Sequence, residues 1–300
     1  MLNPALRPMS ISELLDRTFH LFRNNFFLFA GIAGLAPALA LVTQLLGIAA
    51  GLPFDYESGY KAGRTGNVSL ILLLLSLEAV ALIIIYFVGA QLSYGATVYG
   101  VSMVHMGKQT TVGAAFKTIR PFAGRLLGIS FLVGIRMAGI GILIGISFVL
   151  GWLALLAVPL LVWWAIHLYV RYSLAGAACI LENTGANQAL LRSRFLTENA
   201  TGRIWLVFLL TGVLNVGLGY ALGIPAQLLK MMHQASLTVA VSAQLGQFLA
   251  QTFAAPIATI SLVLMYYDQR IRKEAFDLQV MMQALEQAGT AQSTTATAPL

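Results

Sequence analysis

Six long apolar segments constrain this chain more than any other feature of its sequence. They cover about residues 26–50, 68–103, 126–150, 152–169, 204–224 and 237–267. A helix crosses the roughly 30 Å hydrocarbon core of a bilayer with about 20 apolar residues, which is close to the length of each segment. Hydrophobic residues make up 58% of the 300 residues and charged residues 10%, which is more apolar side chain than a soluble domain can bury. We therefore expect an all-α polytopic membrane protein with six transmembrane helices, and we exclude a soluble enzyme, a disordered chain and a disulfide-stapled module.

The second and sixth segments are longer than one membrane thickness. Such a helix must tilt, project into water or break. Pro256 lies within the sixth segment, where it removes a backbone hydrogen-bond donor. A simple kink and a broken helix at a binding site are both compatible with this position.

Lysine and arginine are distributed unevenly between the two sides of the predicted membrane. If the amino terminus is cytoplasmic, most of the 18 Lys and Arg residues fall inside, and only Lys61, Arg64 and Lys230 fall outside. Arg136 lies within the third segment. Cytoplasmic loops of membrane proteins carry this excess of positive charge. The sequence therefore predicts a multi-pass protein of the plasma (inner) membrane with both termini in the cytoplasm.

A threefold pattern relates the six segments. Residues 10–26, 111–126 and 184–204 each read as a short basic amphipathic helix that leads directly into an apolar segment. In the first, over 10–24, Ser10 and Glu13 fit a capping box. Three units of one interfacial helix and two spans are one interpretation, and linkers that simply join three hairpins are the other.

The carboxyl-terminal part of the chain continues the sixth segment into water. A cytoplasmic helix is predicted over about residues 268–287, and the Thr-, Ala- and Ser-rich tail over 288–300 is predicted to be disordered. Residues 1–287 then form a single membrane domain.

Three sequence stretches carry a family resemblance. They read LRPMSISELLD at 6–16, LENTGANQALLRSRFLTE at 181–198 and YYDQRIRKEAFDL at 266–278. Together they resemble a bacterial multi-span family named for the membrane domain of glycerophosphoryl diester phosphodiesterases. The resemblance implies a stand-alone membrane domain, because the chain has no soluble stretch long enough for the catalytic barrel of those enzymes. Ala275 stands where the family usually has glycine.

Glu78 and Arg136 are ionisable residues near the middle of the second and third segments. A charge at the centre of a bilayer costs several kcal/mol, so such residues usually face the bundle and pair with one another. We expect the two side chains to approach each other. A stabilising ion pair, a proton or substrate site, and an unpaired protonated Glu78 are the alternatives.

Gln244, Gln247 and Gln251 share one face of the sixth segment. Amides in hydrocarbon seek partners on neighbouring helices. The stripe is therefore interpreted either as interhelical hydrogen bonding or as the lining of a polar cavity. The glycine pairs Gly124/Gly128, Gly141/Gly145 and Gly219/Gly223 fit the small-residue spacing of close helix contacts.

The remaining cations form a predicted belt at the cytoplasmic lipid headgroups. Its members are Arg17, Arg23, Lys117, Arg120, Arg125, Arg192, Arg194, Arg203, Arg270, Arg272 and Lys273. Because these residues adjoin apolar segments, the net charge of +7 indicates membrane lipids as partners and not nucleic acid.

No catalytic triad, metal-binding motif or phosphate-binding loop is recognisable. We therefore predict no cofactor, no metal and no catalytic residue. Three hypotheses follow. The first is a non-catalytic membrane module that engages lipid or a membrane protein partner through its bundle and basic belt. The second is a transporter or channel that uses Glu78, Arg136 and the glutamine stripe. The third and weakest is an enzyme or enzyme subunit acting on phospholipid headgroups.

Overall fold

The computed structural model describes residues 8–49, 68–149, 151–232 and 237–274. Within these ranges the chain is helical and contains no β-strand. The helices are α1 (Ile11–Asn24), α2 (Phe26–Ala33), α3 (Leu35–Ala49), α4 (Val68–His105), α5 (Val112–Ile119), α6 (Ala123–Val149), α7 (Ala154–Tyr172), α8 (Ala175–Leu181), α9 (Ala186–Thr197), α10 (Thr201–Met232) and α11 (Leu237–Glu274). The predicted all-α class is confirmed.

Among the described residues, five helical stretches are long and apolar enough to cross a membrane. They are Leu73–His105, Val112–Val149, Ala154–Leu181, Thr201–Leu229 and Thr238–Glu274. The first predicted span is a pair of helices, because α2 and α3 meet at an angle of 46°. Pro37 in the first turn of α3 lacks the N–H that would continue the hydrogen-bond ladder across this bend.

The two overlong segments are continuous helices. Both α4 and α11 contain 38 residues, which corresponds to about 57 Å at the standard helical rise. Pro256 lies inside α11 without ending it, so of the two interpretations the broken helix is wrong. Pro159 and Pro225 likewise lie inside α7 and α10.

Helix α11 is the centre of the bundle. It packs against α1, α2, α3 and α4 from the first half of the chain and against α8, α9 and α10 from the second half. Its second half is buried almost without interruption, and Ile260, Val263, Leu264 and Met265 are fully enclosed. Because the other long helices keep most of their apolar surface exposed, they present that surface to lipid.

Glycines allow close helix contacts, but at positions other than the predicted ones. A Cβ on Gly246 of α11 would lie 2.6 Å from the carbonyl oxygen of Leu222 in α10, and one on Gly89 of α4 would lie 2.7 Å from Cβ of Ala36 in α3. By contrast, a Cβ on Gly141 would meet nothing within 4 Å. The predicted contact through this glycine and its partner Gly145 is wrong, because this face of α6 is open.

The helices that precede the apolar stretches begin where the sequence predicts. Ser10 Oγ accepts a hydrogen bond from the Glu13 amide and the Glu13 carboxylate accepts one from the Ser10 amide, which confirms the capping box. Thr111 caps α5 through its side chain, and Gly185 precedes α9. The predicted cytoplasmic helix is described only as far as Glu274, so its remainder and the tail over 288–300 lie outside the described residues.

Candidate functional site

A large cavity of about 700 Å³ lies between α4, α6, α7, α10 and α11. Along α6 its lining residues extend from Leu126 to Met137, about 16 Å of helix. The apolar part of its wall is formed by Leu126, Ile129, Val133, Met137, Phe208 and Leu262. The volume lies within the range of protein sites for small ligands. The large cavity is therefore the main candidate site within the apolar part of the bundle.

Hydroxyl and amide groups complete the wall of the large cavity. They belong to Gln91, Tyr94, Ser130, Tyr169, Tyr172, Ser173, Thr211, Asn215 and Thr259. Asn215 Nδ2 donates to the carbonyl oxygen of Thr211 at 2.7 Å, and the Thr211 hydroxyl donates to that of Val207 at 2.8 Å. The hydroxyls of Ser173 and Thr259 likewise donate to backbone carbonyls three and four residues earlier. These four groups therefore stay paired when an uncharged, largely apolar molecule fills the cavity.

A small cavity of about 320 Å³ adjoins the large one. Ala90, Tyr94, Ala255 and Thr259 line both cavities, so these four residues form a shared wall. The Tyr94 ring packs directly on Gly176, where an added Cβ would clash with the ring. Gly176 thus makes room for the aromatic ring that separates the cavities.

Glu78 and Arg136 do not form the expected pair. The Glu78 carboxylate packs on α3, where a Cβ at Gly47 would lie 2.5 Å from Oε1. Arg136 donates to the carbonyl oxygen of Leu132 at 2.8 Å, and its guanidinium carbon lies 5.4 Å from the centre of the Tyr172 ring. The expectation that they approach each other is wrong, because Glu78 faces α3 whereas Arg136 lies against α7. Arg136 therefore borders the large cavity through Tyr172.

The glutamine stripe is only partly turned inward. Gln251 lines the small cavity, Gln244 is half-buried and Gln247 is exposed. None of the three amides makes a hydrogen bond to another described residue, so the interhelical bonding predicted for them is not formed. For Gln251 the cavity-lining interpretation is the one that matches its position.

At one end of the bundle, arginines of α9, α10 and α11 lie close together, and we call this end the basic end. Glu182 is the centre of one ion-pair network there. Arg192 Nε lies 2.9 Å from the Glu182 carboxylate, and the Tyr266 hydroxyl donates to Glu182 Oε1 at 2.6 Å. Glu274 accepts from Arg192 and lies 3.3 Å from Nε of Arg270. Burial alone lowers the pKa of Arg192, but the hydrogen bonds to Glu274 and Glu182 outweigh it and raise this pKa above its usual value. The network joins α8, α9 and α11.

Asp268 organises a second network at the basic end. Its carboxylate is fully buried and lies 2.9 Å from Nε of Arg272 and 3.2 Å from a terminal nitrogen of Arg203. The Met9 amide donates to Asp268 Oδ1 at 2.8 Å, and the Met9 carbonyl accepts from both arginines. The segment before α1 is thereby fixed to α10 and α11.

The members of the predicted cation belt are of three kinds: those held by protein groups, one that is half-buried, and those exposed to solvent. Arg192, Arg203, Arg270 and Arg272 are held by these carboxylates, and Lys273 donates to the carbonyl of Phe195. Arg17 is half-buried. The exposed members, which are available to headgroups, are Arg23, Lys117, Arg120, Arg125 and Arg194. Arg125 also donates to Asn183 Oδ1 at 2.7 Å.

The acidic partners were not identified from the sequence, although the three stretches that carry the family resemblance contain them. Met9, Glu182, Asp268 and Glu274 all lie in those stretches and meet at the basic end. A possible signal was that only 11 Asp and Glu residues occur in the whole chain. When acids are so few, those among clustered arginines are the obvious partners for them.

Across the described ranges, no cluster of His, Cys, Asp and Glu is arranged to hold a metal ion. Comparisons of the chain with protein-family models, with curated proteins and with solved structures gave no match. The long apolar helices define a helical membrane protein with several spans. The cavities and the basic end are the features of this protein that bear on its function.

Proposed function

We propose that this chain is a non-catalytic membrane module that binds a lipid within its helical bundle. The observation that carries this proposal is the large cavity, whose wall combines apolar side chains with hydroxyls and amides, several of which donate to backbone carbonyls. A lipid acyl chain or glycerol backbone meets both requirements of such a wall, because it is mostly apolar and carries a few ester oxygens. No charged side chain belongs to the lining, which argues against an ionic solute as the occupant.

The proposed topology has six spans, with α2 and α3 counted together as the first. Both termini lie in the cytoplasm, and the membrane is a plasma (inner) membrane. The basic end then lies at the inner headgroup layer, where the exposed cations Arg23, Lys117, Arg120, Arg125 and Arg194 meet anionic lipids. Three units, each with a helix at this layer and two spans, would place the cavity where all three units meet, because α4 of the first unit also lines it.

The resemblance to the membrane domain of glycerophosphoryl diester phosphodiesterases is consistent with this proposal. The stretches that carry the resemblance also supply the two ion-pair networks of the basic end. In this proposal the family pattern maintains the architecture of the basic end and leaves the cavity wall free to vary.

A transporter is the second candidate, and one observation favours it. The two cavities share the wall formed by Ala90, Tyr94, Ala255 and Thr259, and Gln251 lines the small cavity only. Displacement of the Tyr94 ring would connect them into one longer path. Glu78 is not among the residues that line either cavity, so this path differs from the one expected from the sequence.

The lipid-binding proposal is tested by filling the large cavity. Gly134 of α6 and Gly212 of α10 line it, and a Cβ on either residue meets nothing within 4 Å. Gly134→Phe and Gly212→Phe therefore place a ring in the cavity without a backbone clash. The purified variants are compared with the unsubstituted protein by native mass spectrometry and by extraction of tightly bound lipid. We expect retained lipid to fall severalfold in both variants.

Matched controls are available on the same helices. Gly139 of α6 and Gly219 of α10 also have open space around an added Cβ, but neither lines the cavity. Gly139→Phe and Gly219→Phe should retain lipid at the unsubstituted level. If all four variants retain equal amounts, or if the unsubstituted protein retains no lipid beyond the bulk annulus, the proposal is wrong.

A further inference from the structure

A separate pocket of about 390 Å³ lies where the end of α7 meets the turn between α9 and α10. Its lining includes His167 and Arg171 from α7, Glu198 and Asn199 from the turn, and Thr201 from α10. We call it the charged pocket. Asn199 adopts a left-handed backbone conformation with φ of 62°, which turns the chain sharply between α9 and α10. The charged pocket is thus built from a helix end and a tight turn that face each other.

The backbone around the charged pocket is held in place by hydrogen bonds from α9. The carbonyl oxygen of Arg171 accepts from Ser193 Oγ at 2.9 Å and from Thr197 Oγ1 at 3.3 Å. Ser193 and Thr197 are buried. The end of α7 is therefore fixed against α9, and the position from which the Arg171 side chain extends is fixed with it.

Two opposite charges line the charged pocket without neutralising each other. Neither the Arg171 guanidinium nor the Glu198 carboxylate makes an ion pair or a side-chain hydrogen bond to any described residue. Elsewhere at the basic end, Glu182, Asp268 and Glu274 are all paired with arginines. The charged pocket therefore offers one cationic and one anionic partner to a ligand.

The charged pocket and the large cavity are built on the same two helices. On α7, Arg171 lines the charged pocket and the next residue, Tyr172, lines the large cavity. On α10, Gly202 lines the charged pocket and Phe208 the large cavity, a separation of about 9 Å along the helix. A molecule with a charged head and an apolar body could occupy both at once.

We infer that the charged pocket binds the headgroup of a zwitterionic phospholipid that carries a primary ammonium, as phosphatidylethanolamine does. The inference rests on the proposed function, since the acyl part of the same lipid occupies the large cavity. Arg171 binds the phosphate and Glu198 binds the ammonium, so each charge of the headgroup meets its opposite. An anionic headgroup without an ammonium would leave Glu198 unpaired, and a quaternary ammonium would offer it no N–H donor.

The experiment measures headgroup selectivity in nanodiscs of defined composition. The full chain is reconstituted with equal amounts of phosphatidylethanolamine, phosphatidylcholine and phosphatidylglycerol, released into mild detergent, and its retained lipids are counted by native mass spectrometry. We expect phosphatidylethanolamine to be retained about tenfold over the other two, the ratio that a single charge-assisted hydrogen bond supports. Glu198→Gln should abolish this preference without lowering total retained lipid, and Arg171→Gln should lower retention of all three lipids.

Two control variants show whether the loss of a charge outside the charged pocket also changes headgroup selectivity. Lys108→Gln removes an exposed cation between α4 and α5, and Asp16→Asn removes an exposed acid of α1; neither residue lines the charged pocket. Both should retain the preference for phosphatidylethanolamine. Melting temperatures of all variants show whether each remains folded. Soluble glycerophosphoethanolamine, added as a competitor, shows whether the headgroup binds without its acyl chains; displacement of the lipid at low concentration would overturn the joint occupancy of both sites.

The outcomes separate this inference from the proposed function. Lipid that is retained without headgroup preference, or with a preference for phosphatidylglycerol, overturns the headgroup assignment and leaves the large cavity as a lipid site. A preference that survives both Arg171→Gln and Glu198→Gln places the headgroup elsewhere. If no lipid is retained by the unsubstituted protein, the proposed function itself is wrong.

Discussion

The backbone amide of Met9 donates a 2.8 Å hydrogen bond to the carboxylate of Asp268, a residue 259 positions later in the chain. The same carboxylate holds Arg203 and Arg272, and the Met9 carbonyl accepts from both of these arginines. Asp268 of α11 is thus a single buried anion that connects α11 to the segment before α1 and to the start of α10. Because it is fully buried, its charge depends on these partners for stabilisation.

Asp268→Asn should strongly destabilise the protein. The amide preserves the shape and can still accept from Met9, but it leaves Arg203 and Arg272 without their carboxylate. The expected loss is about 3 kcal/mol, at the lower end for a buried pair because Arg272 is partly exposed. Thermal unfolding in detergent, followed by intrinsic fluorescence, measures the effect. Asp16→Asn, which removes an exposed acid of α1, is the control, and equal melting temperatures for the two variants would contradict the assigned role of Asp268.

Tyr266 and Glu182 should be energetically coupled. Their 2.6 Å hydrogen bond joins α11 to the end of α8 and involves a charged acceptor. A double-mutant cycle of Tyr266→Phe and Glu182→Gln should give a coupling of about 1.5 kcal/mol in unfolding free energy. The neighbouring Tyr267 bonds to Ser102 instead. The changes in unfolding free energy of Tyr267→Phe and Glu182→Gln should therefore be additive. A coupling of equal size in both cycles would disprove a specific bond between Tyr266 and Glu182.

Gly246→Ala should weaken the packing of α10 on α11. The new methyl group would lie 2.6 Å from the carbonyl oxygen of Leu222, a backbone atom that cannot move without shifting the helix. Overpacking of this kind costs about 1–3 kcal/mol. Gly139→Ala, where the added Cβ is unobstructed, should instead stabilise α6 by up to about 1 kcal/mol through helix propensity. Opposite changes in melting temperature are expected, and changes of the same sign would refute the contact.

A substitution at Glu78 should recover part of the stability that is lost through a substitution at Gly47. Gly47→Leu directs a side chain into the space of the Glu78 carboxyl group and is expected to lower the melting temperature. Glu78→Ala vacates that space, so the double variant should recover part of the loss. A control double variant, Gly47→Leu with Arg136→Ala, should recover nothing, since Arg136 lies against α7. Equal recovery in both doubles would show that Glu78 does not pack on Gly47.

Hydropathy predicted the helical class and the positions of the long helices because bilayer thickness fixes the length of an apolar segment. Hydropathy did not locate the bend between α2 and α3, and Pro37 marks this place only as one that tends to kink, because a proline near a glycine permits a bend without requiring it. The pairing of Glu78 with Arg136 failed for a related reason. Sequence position gives the depth of a residue along its helix, whereas the direction in which its side chain points depends on how the helices are rotated and packed.

The cavities also depend on information that a single sequence does not contain. Gln91, Asn215 and Thr259 lie on three different helices, and each alone resembles an ordinary amide or hydroxyl within a span. They share one wall only because α4, α10 and α11 pack together at particular rotations. Gln251 was identified in advance because its amide belonged to a periodic stripe. The tyrosines of the wall had no such signal.

The attachment of Met9 to Asp268 has a consequence for biosynthesis. A chain is made from its amino terminus, so α1 leaves the ribosome long before the carboxylate that fixes the segment preceding it. Until α11 has been synthesised and inserted, Met9 lacks this partner, and Arg203 remains without its acid. The basic end can therefore close only after α11 has been made, in a step that joins the first part of the chain to the last helix described.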